Sequence, residues 1–446
     1  MDLFPMHVEA EIRQPVEALG GARTVLPRAI RASGVRIYDD RGNDYIDGSS
    51  GPICVNIGHA VPEVLAAMRA QAESLPFVHR SQFSSPVVDE LTNEVLCLAG
   101  DEFREVVYTN SGSEATETAL RLVMHHHAAL GRTDRTVVLS QSPSYHGMTA
   151  GALSVSGHAG RKENLAPLHD SSVTTVPVTA TTAGQVLPGI EEWEAAFERV
   201  GPQRVAAVIV EPVGGAASGA AELPDEVFRR LRELCSQHGA LLISDEVMTG
   251  FGRVGGWFGF EQSGVVPDLV VTGKGLSAGY TPIGACLVGR RVLEGTSAVD
   301  LAFGHTMSGN PLSAATALAV LRFTRSRRLP EKASQMSGLM RQRLAELSAS
   351  FEFLGGPRGR GLLHGLPVLQ DPKGFETAPL ARLICCRASE NGLILYPAGT
   401  DHRTQSILVA PPLTIGCCDT DLLFRRLHAA LRRVEAELQL SKEVVR

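Results

Sequence analysis

Six short apolar runs recur through the middle of the chain: EVVYTN (105–110), TVVLS (136–140), VAAVIVEP (205–212), LLISDE (241–246), LVVTG (269–273) and GACLVG (284–289). Each has the length of a strand and reads as buried. Between them, stretches such as ATETALRLVMHHHAAL (115–130) and DEVFRRLRELCSQHG (225–239) carry apolar residues at helical spacing. Strands alternating with helices predict an α/β fold with a mostly parallel central sheet flanked by helices. Ligands of such sheets gather at the carboxyl ends of the strands. After about residue 323 the pattern changes to charged helices, RSRRLPEKASQMSGLMRQRLAELSA and a final DLLFRRLHAALRRVEAELQL, with a few strands between. That change predicts a second, smaller domain. TATTAGQVLPG (179–189) reads as an exposed loop.

Composition narrows the partners. With 446 residues and 44% hydrophobic content the chain can bury a large core. A formal net charge of -6 gives no basic footprint for nucleic acid. No apolar run approaches the length of a membrane span, and the first residues, MDLFPMHVEAEIRQ, lack the apolar centre of a signal peptide. The eight cysteines form no C-x-x-C pair. Reduced thiols in a cytoplasmic enzyme are expected, without a metal site. His125, His126 and His127 point to different sides of a helix, which disfavours a shared metal.

Three strand ends carry candidate chemistry. The first is EVVYTNSGSEATETALRL, where Ser111 and Glu114 fit a capping box and Gly112 and Ser113 open a helix. Free N–H groups there would suit a phosphate, although an ordinary capped helix has the same pattern. The second is LLISDEVMTGFGRVG, which delivers Asp245 and Glu246 either to a buried cation or to a solvated turn. The third is PDLVVTGKGLSAGYTPIG. The chain has five lysines (Lys162, Lys274, Lys332, Lys373, Lys442), and only Lys274 has an apolar, glycine-rich setting; the others read as exposed. A desolvated lysine has a lowered pKa and attacks carbonyls. A P-loop is excluded, because Leu269 and Gly275 stand where that motif needs Gly and Ser/Thr. A phosphate cradle, a carboxylate and a Schiff-base lysine together are what pyridoxal 5'-phosphate requires.

In this order, NIGHAVPEV (56–64), SGSEA (111–115), SYHG (144–147), IVEPVGG (209–215), SDEVMTGFGRVG (244–255), TGKGLSAG (272–279), HTMSGNP (305–311) and LVAPPLTI (408–415) resemble the class III, or ω-, aminotransferases. The resemblance runs from about Gly34 to Ile415. It implies a fold-type I transferase: residues 1–70 joining the small domain, 71–322 the large cofactor-binding domain, and 323–446 the small α+β domain. It implies a homodimer with shared active sites, an amine donor, a carbonyl acceptor and a pyridoxamine phosphate intermediate. By this resemblance Lys274 carries the cofactor and moves the proton, and Asp245 pairs with its ring nitrogen. Ser111, Gly112 and Ser113 hold the phosphate. Tyr145 stacks on the ring with His146 beside it, Val247 packs on the other face, and Glu211 supports Asp245. Thr306 reaches the phosphate of the partner's site. Aminomutases and epimerases of the family keep the same set, and a binding protein of the same fold is a further alternative. The many arginines suggest a high-GC bacterial setting, where such enzymes also serve amino-sugar or other secondary metabolism.

The chain also departs from its relatives. Met248 stands where many have Gln; Ala216 and Leu408 stand where dual-substrate relatives have a Glu and a carboxylate-binding Arg. A pocket more apolar there is expected to take a primary amine or aldehyde without an α-carboxylate. If an α-carboxylate is bound, Arg403 and then Arg80 are the candidates to hold it. Arg253, in GFGRVG, is expected to be structural.

Overall fold

The computed structural model describes residues 26–163, 174–181, 185–294, 304–369, 379–401 and 403–444. Seven of its strands form the central sheet: β1 (Phe103–Thr109), β2 (Val137–Ser142), β3 (Thr174–Thr179), β4 (Val205–Val210), β5 (Leu241–Asp245), β6 (Leu269–Thr272) and β7 (Gly284–Gly289). Their order across the sheet is β1-β7-β6-β5-β4-β2-β3. β7 runs antiparallel to both its neighbours, and the other pairs are parallel.

Both faces of this sheet are covered, which explains why the apolar runs lack polar alternation. Every residue of β4 to β7 is buried. Successive side chains still go to opposite faces. Val208, Val210, Leu242, Val270 and Leu287 join one core with Phe228 and Leu231 of the helix Asp225–His238. Ala207, Ile209, Ile243, Val271 and Val288 join another with Ala115, Ala119 and Val123 of the helix Gly112–Ala129.

The remaining described residues build a separate core. Val35, Ile46 and Val64 pack with Leu329, Leu344, Leu423 and Leu427. The strand Leu393–Ile394 pairs parallel with Asp44–Asp47, tying the two ends of the chain together. An antiparallel sheet of Arg358–Arg360, Leu363–Pro367, Ser406–Val409 and Tyr396–Ala398 completes this α+β part.

Arg253 joins these regions. Its guanidinium is fully buried and donates to the carbonyls of Leu362 (3.0 Å) and Pro411 (2.6 Å), to Ser50 Oγ (3.1 Å) and to Asn56 Oδ1 (2.8 Å). Burial pushes its pKa down to about 9. These four bonds give it the structural role expected of it.

Some readings need correction. β3, TTVPVT, was not among the expected strands: it is an edge strand with a proline and no apolar run. In the expected loop, residues 182–184 lie outside the described residues, and Leu187 is buried in the main core rather than exposed. Lys162 and Lys332 are half-buried, not exposed, because each donates to a carbonyl: Ser154 O at 2.8 Å and Ile415 O at 2.7 Å. Lys373 lies outside the described residues.

Candidate active site

The three strand ends meet at the carboxyl edge of the sheet. β5 ends on Asp245, which is 4% exposed. Its Oδ2 accepts from His146 Nδ1 at 2.6 Å, and its Oδ1 accepts the Val247 N–H at 3.0 Å. The second bond closes a turn that fixes both Asp245 and Val247. Glu246, the next residue, points elsewhere. It is fully buried and accepts from Ser244 Oγ (3.1 Å), Thr249 Oγ1, and the N–H groups of Gly259 (2.8 Å) and Phe260 (2.9 Å). Of the two carboxylates, Asp245 faces the site and Glu246 anchors the loop; neither is solvated.

Lys274 follows β6 after one glycine, with φ +35°. A side chain in the left-handed region is strained, and such strain gathers at functional positions. Burial pushes its amine below the ordinary lysine range, while Cys54, Asp245 and Glu211 nearby act in the opposite direction. Among the described residues its Nζ has no hydrogen-bond partner, unlike those of Lys162 and Lys332.

The helix Gly112–Ala129 starts beside them. Ser111 is its N-cap, and Ser111 Oγ accepts the Glu114 N–H at 3.2 Å. The reciprocal half of the expected capping box differs. Glu114 Oε2 takes the N–H of Asn110 at 2.7 Å, one residue before the cap. The N–H groups of Gly112 and Ser113 lie in the first turn and have no helical acceptor. Small residues keep this corner open. A Cβ on Gly112 would meet the two Val247 methyls at 2.8 and 2.9 Å, and one on Gly147 would meet Ser113 Oγ at 2.6 Å. Ser113 Oγ accepts the Met148 N–H at 3.1 Å, which holds the SYHG segment against the helix start.

Tyr145 and His146 come from that segment. The Tyr145 N–H donates to Glu211 Oε2 at 3.0 Å, and the Gly215 N–H donates to Glu211 Oε1 at 3.1 Å. Burial pushes the Glu211 carboxyl up to about 7, with His146 opposing and Asp245 adding to the rise. His146 is buried; among the described residues its Nε2 has no partner. Lys274, Asp245, His146, Tyr145, Glu211, Val247, Ser111, Gly112 and Ser113 thus form one cluster. Thr306, Arg80 and Arg403 are exposed instead. Thr306 lies on the turn after His305, and Arg80 lies against Gly304 of the same segment. Arg403 pairs with Asp401 of its own loop at 3.3 Å.

Met248 and Leu408 pack in one cluster with Ile53, Val213, Ala220 and Ala398, and Ala216 is buried. Three further residues around Lys274 and Tyr145 carried no sequence signal: Cys54, Arg161 and Tyr396. They come from segments far apart in the chain, and only the fold brings them together. His126 and His127 bond the carbonyls of Val292 and Ala206, two separate segments.

The chain is similar to known proteins over most of its length. Residues 21–431 match the family described as Aminotransferase class-III. The chain is 34% identical to the Bacillus subtilis protein YodT, called an uncharacterized aminotransferase, over 92% of this chain and 95% of that protein. It is 32% identical to the putrescine–pyruvate aminotransferase of Pseudomonas aeruginosa, over 93% and 92%. The ω-transaminase of Pseudomonas jessenii in complex with PMP superposes with a TM-score of 0.84 at 29% identity, covering 92% of this chain and 93% of that one. A transaminase from the marine bacterium Virgibacillus gives 0.85 at 30% identity, over 93% and 94%.

The chain belongs to the class III aminotransferase family and has the fold-type I architecture of the transaminases. It is an aminotransferase, acting on small-molecule amines and carbonyl compounds. Enzymes of this family depend on pyridoxal phosphate. Among the described residues no helix is long and apolar enough to cross a membrane, and no group of His, Cys, Asp and Glu could hold a metal ion.

Proposed function

We propose that the Lys274 cluster binds pyridoxal 5'-phosphate and moves an amino group from a primary amine or amino-acid donor to an aldehyde or ketone. The observation that carries this reading is Asp245, a buried carboxylate held 2.6 Å from His146, beside Lys274, whose amine is desolvated and, among the described residues, unpartnered. The donor set fits the cofactor. The helix start offers the N–H groups of Gly112 and Ser113 and the Ser111 hydroxyl to a phosphate, in a corner that a Cβ on Gly112 would fill.

When bound, pyridoxal phosphate supplies an aldehyde that takes up amines and a ring that draws electrons away from the reacting carbon. Lys274 would hold it through Nζ. Its lowered pKa keeps a larger share of the amine unprotonated, ready to attack a carbonyl and to carry a proton. Asp245 would hold a proton on the ring nitrogen, with its negative charge oriented by His146 and by the Val247 N–H. Glu211 fixes Tyr145 through its backbone N–H, so that the Tyr145 side chain can flank the ring opposite Val247. The apolar wall of Met248, Ala216 and Leu408 suits a donor without an α-carboxylate. The Pseudomonas aeruginosa relative, whose name pairs putrescine with pyruvate, supports a donor of that kind.

We also propose a cytoplasmic homodimer. The free thiols of all eight cysteines support a reducing compartment. The exposed position of Thr306 supports its service to the partner subunit's phosphate site. The shared core of residues 35–64 with 329–434 supports a small domain built from both ends of the chain, with boundaries near 70 and 323. The test is a panel of amines without a carboxylate beside glutamate and alanine, each added to holoenzyme while amino-group uptake is followed spectroscopically. Uptake from a carboxylate-free amine is expected. Uptake from glutamate and alanine alone would refute the apolar-pocket reading.

A further inference from the structure

Arg161 carries the strongest unassigned chemistry near the cluster. It sits on the short helix Ala159–Lys162, half-buried, with its guanidinium carbon 4.1 Å from the centre of the Tyr145 ring. It is also close enough to Lys274 to depress that amine's pKa by its charge. Its place is braced from both sides. Lys162 Nζ bonds Ser154 O at 2.8 Å, pinning the short helix to its predecessor, and the His158 ring meets the Tyr145 ring edge-on at 6.2 Å.

Most arginines whose partners are seen in this chain are paired with carboxylates: Arg36 with Asp44 and Asp419, Arg232 with Asp268, Arg360 with Glu222, Arg403 with Asp401. Among the described residues Arg161 has no carboxylate partner; it rests on an aromatic face that attracts its charge. A carboxylate would bind a guanidinium by two parallel hydrogen bonds. The Tyr145 hydroxyl also engages the Arg161 guanidinium, but among the described residues no carboxylate competes for it. Burial pushes His158 down to about 4, so it is neutral at pH 7. Asp245 is engaged by His146 and Val247, and Glu211 by Tyr145 and Gly215. Leu408, the register partner of Tyr396, and Ala216 are buried and bring no charge of their own.

We propose that Arg161, seated on the Tyr145 ring, is the residue that holds the carboxylate of a 2-oxo acid acceptor. This inference rests on the aminotransferase reading of the Lys274 cluster and assigns it a substrate class. A carboxylate-bearing acceptor would then meet a guanidinium at the Tyr145 ring, which a carboxylate-free donor does not need. No arginine would have to swing out of the way between the two half-reactions.

The experiment uses the amine-loaded holoenzyme and two acceptors, pyruvate and propanal, with wild type, Arg161→Gln and Arg161→Lys. Binding of propionate, which cannot react, is measured calorimetrically in parallel. In Arg161→Gln, kcat/KM for pyruvate is expected to fall about 100-fold, and at least tenfold more than for propanal. Arg161→Lys should recover part of the loss, and propionate binding should weaken in the same order. Equal losses for pyruvate and propanal, or unchanged propionate binding in Arg161→Gln, overturn the assignment. A wild type that hands its amino group to neither carbonyl overturns the underlying reading of the cluster, and this inference with it.

Discussion

Gly112→Ala probes the phosphate corner directly. The new Cβ would lie 2.8 and 2.9 Å from the two Val247 methyls, so those methyls must give way by several tenths of an ångström. Val247 cannot move freely: its N–H is bonded to Asp245 Oδ1 at 3.0 Å, and Glu246 beside it is anchored by four donors. In the free protein the Val247 side chain can lean into the space that the cofactor ring would occupy. With the ring seated, that escape closes, and the overpacking cost falls on binding. Overpacking of this size costs roughly 1–3 kcal/mol. At about 1.4 kcal/mol per tenfold, cofactor affinity should drop between about 5- and 150-fold. The assay is spectral titration of apoprotein with pyridoxal phosphate. Val247→Ala removes both clashing methyls, so adding it to Gly112→Ala should restore much of the loss. Wild-type affinity in Gly112→Ala, or no rescue by Val247→Ala, would refute the packing argument.

Two further outcomes follow from the site and the core. Asp245→Asn keeps the shape but removes the charge beside His146, and the amine half-reaction should slow by about 3–4 kcal/mol, roughly 10²–10³-fold; a near-normal single-turnover rate would remove Asp245 from the chemistry. His364 is buried, its Nε2 bonded to Gly361 O at 2.9 Å and its Nδ1 without a partner among the described residues, and burial pushes it down to about 4. The unfolded chain binds this proton below about 6.5 while the native state waits until about 4. Its contribution is therefore present above 6.5 and lost as pH falls toward 4, by roughly 3 kcal/mol at the limit. His364→Gln should flatten denaturant stability between pH 6.5 and 4.5 relative to wild type; an unchanged slope would contradict the assignment.

The fold was legible because its core strands are buried on both faces, so their apolar runs stand out. β3 was hidden because an edge strand needs no such run, and TTVPVT has none. The site was legible where chemistry and chain order coincide: Asp245 and Lys274 end adjacent parallel strands, and Ser111 opens a helix. The capping box was half right, since Ser111 Oγ caps as its spacing implies while Glu114 reaches one residue further back. Arg161, Cys54 and Tyr396 were illegible. Their proximity to Lys274 and Tyr145 depends on packing between distant segments, and no local pattern records it. Arg403 drew attention as an arginine in a loop near the site, yet its partner Asp401 lies only two residues away.

Lys274 is the desolvated lysine proposed to carry the cofactor. Borohydride reduction of the holoenzyme, followed by proteolysis and mass spectrometry, reads this at a single residue. A phosphopyridoxyl group is expected on Lys274 and on none of Lys162, Lys332, Lys373 and Lys442. A label on any of those four, or reduced holoenzyme with Lys274 unmodified, would contradict it.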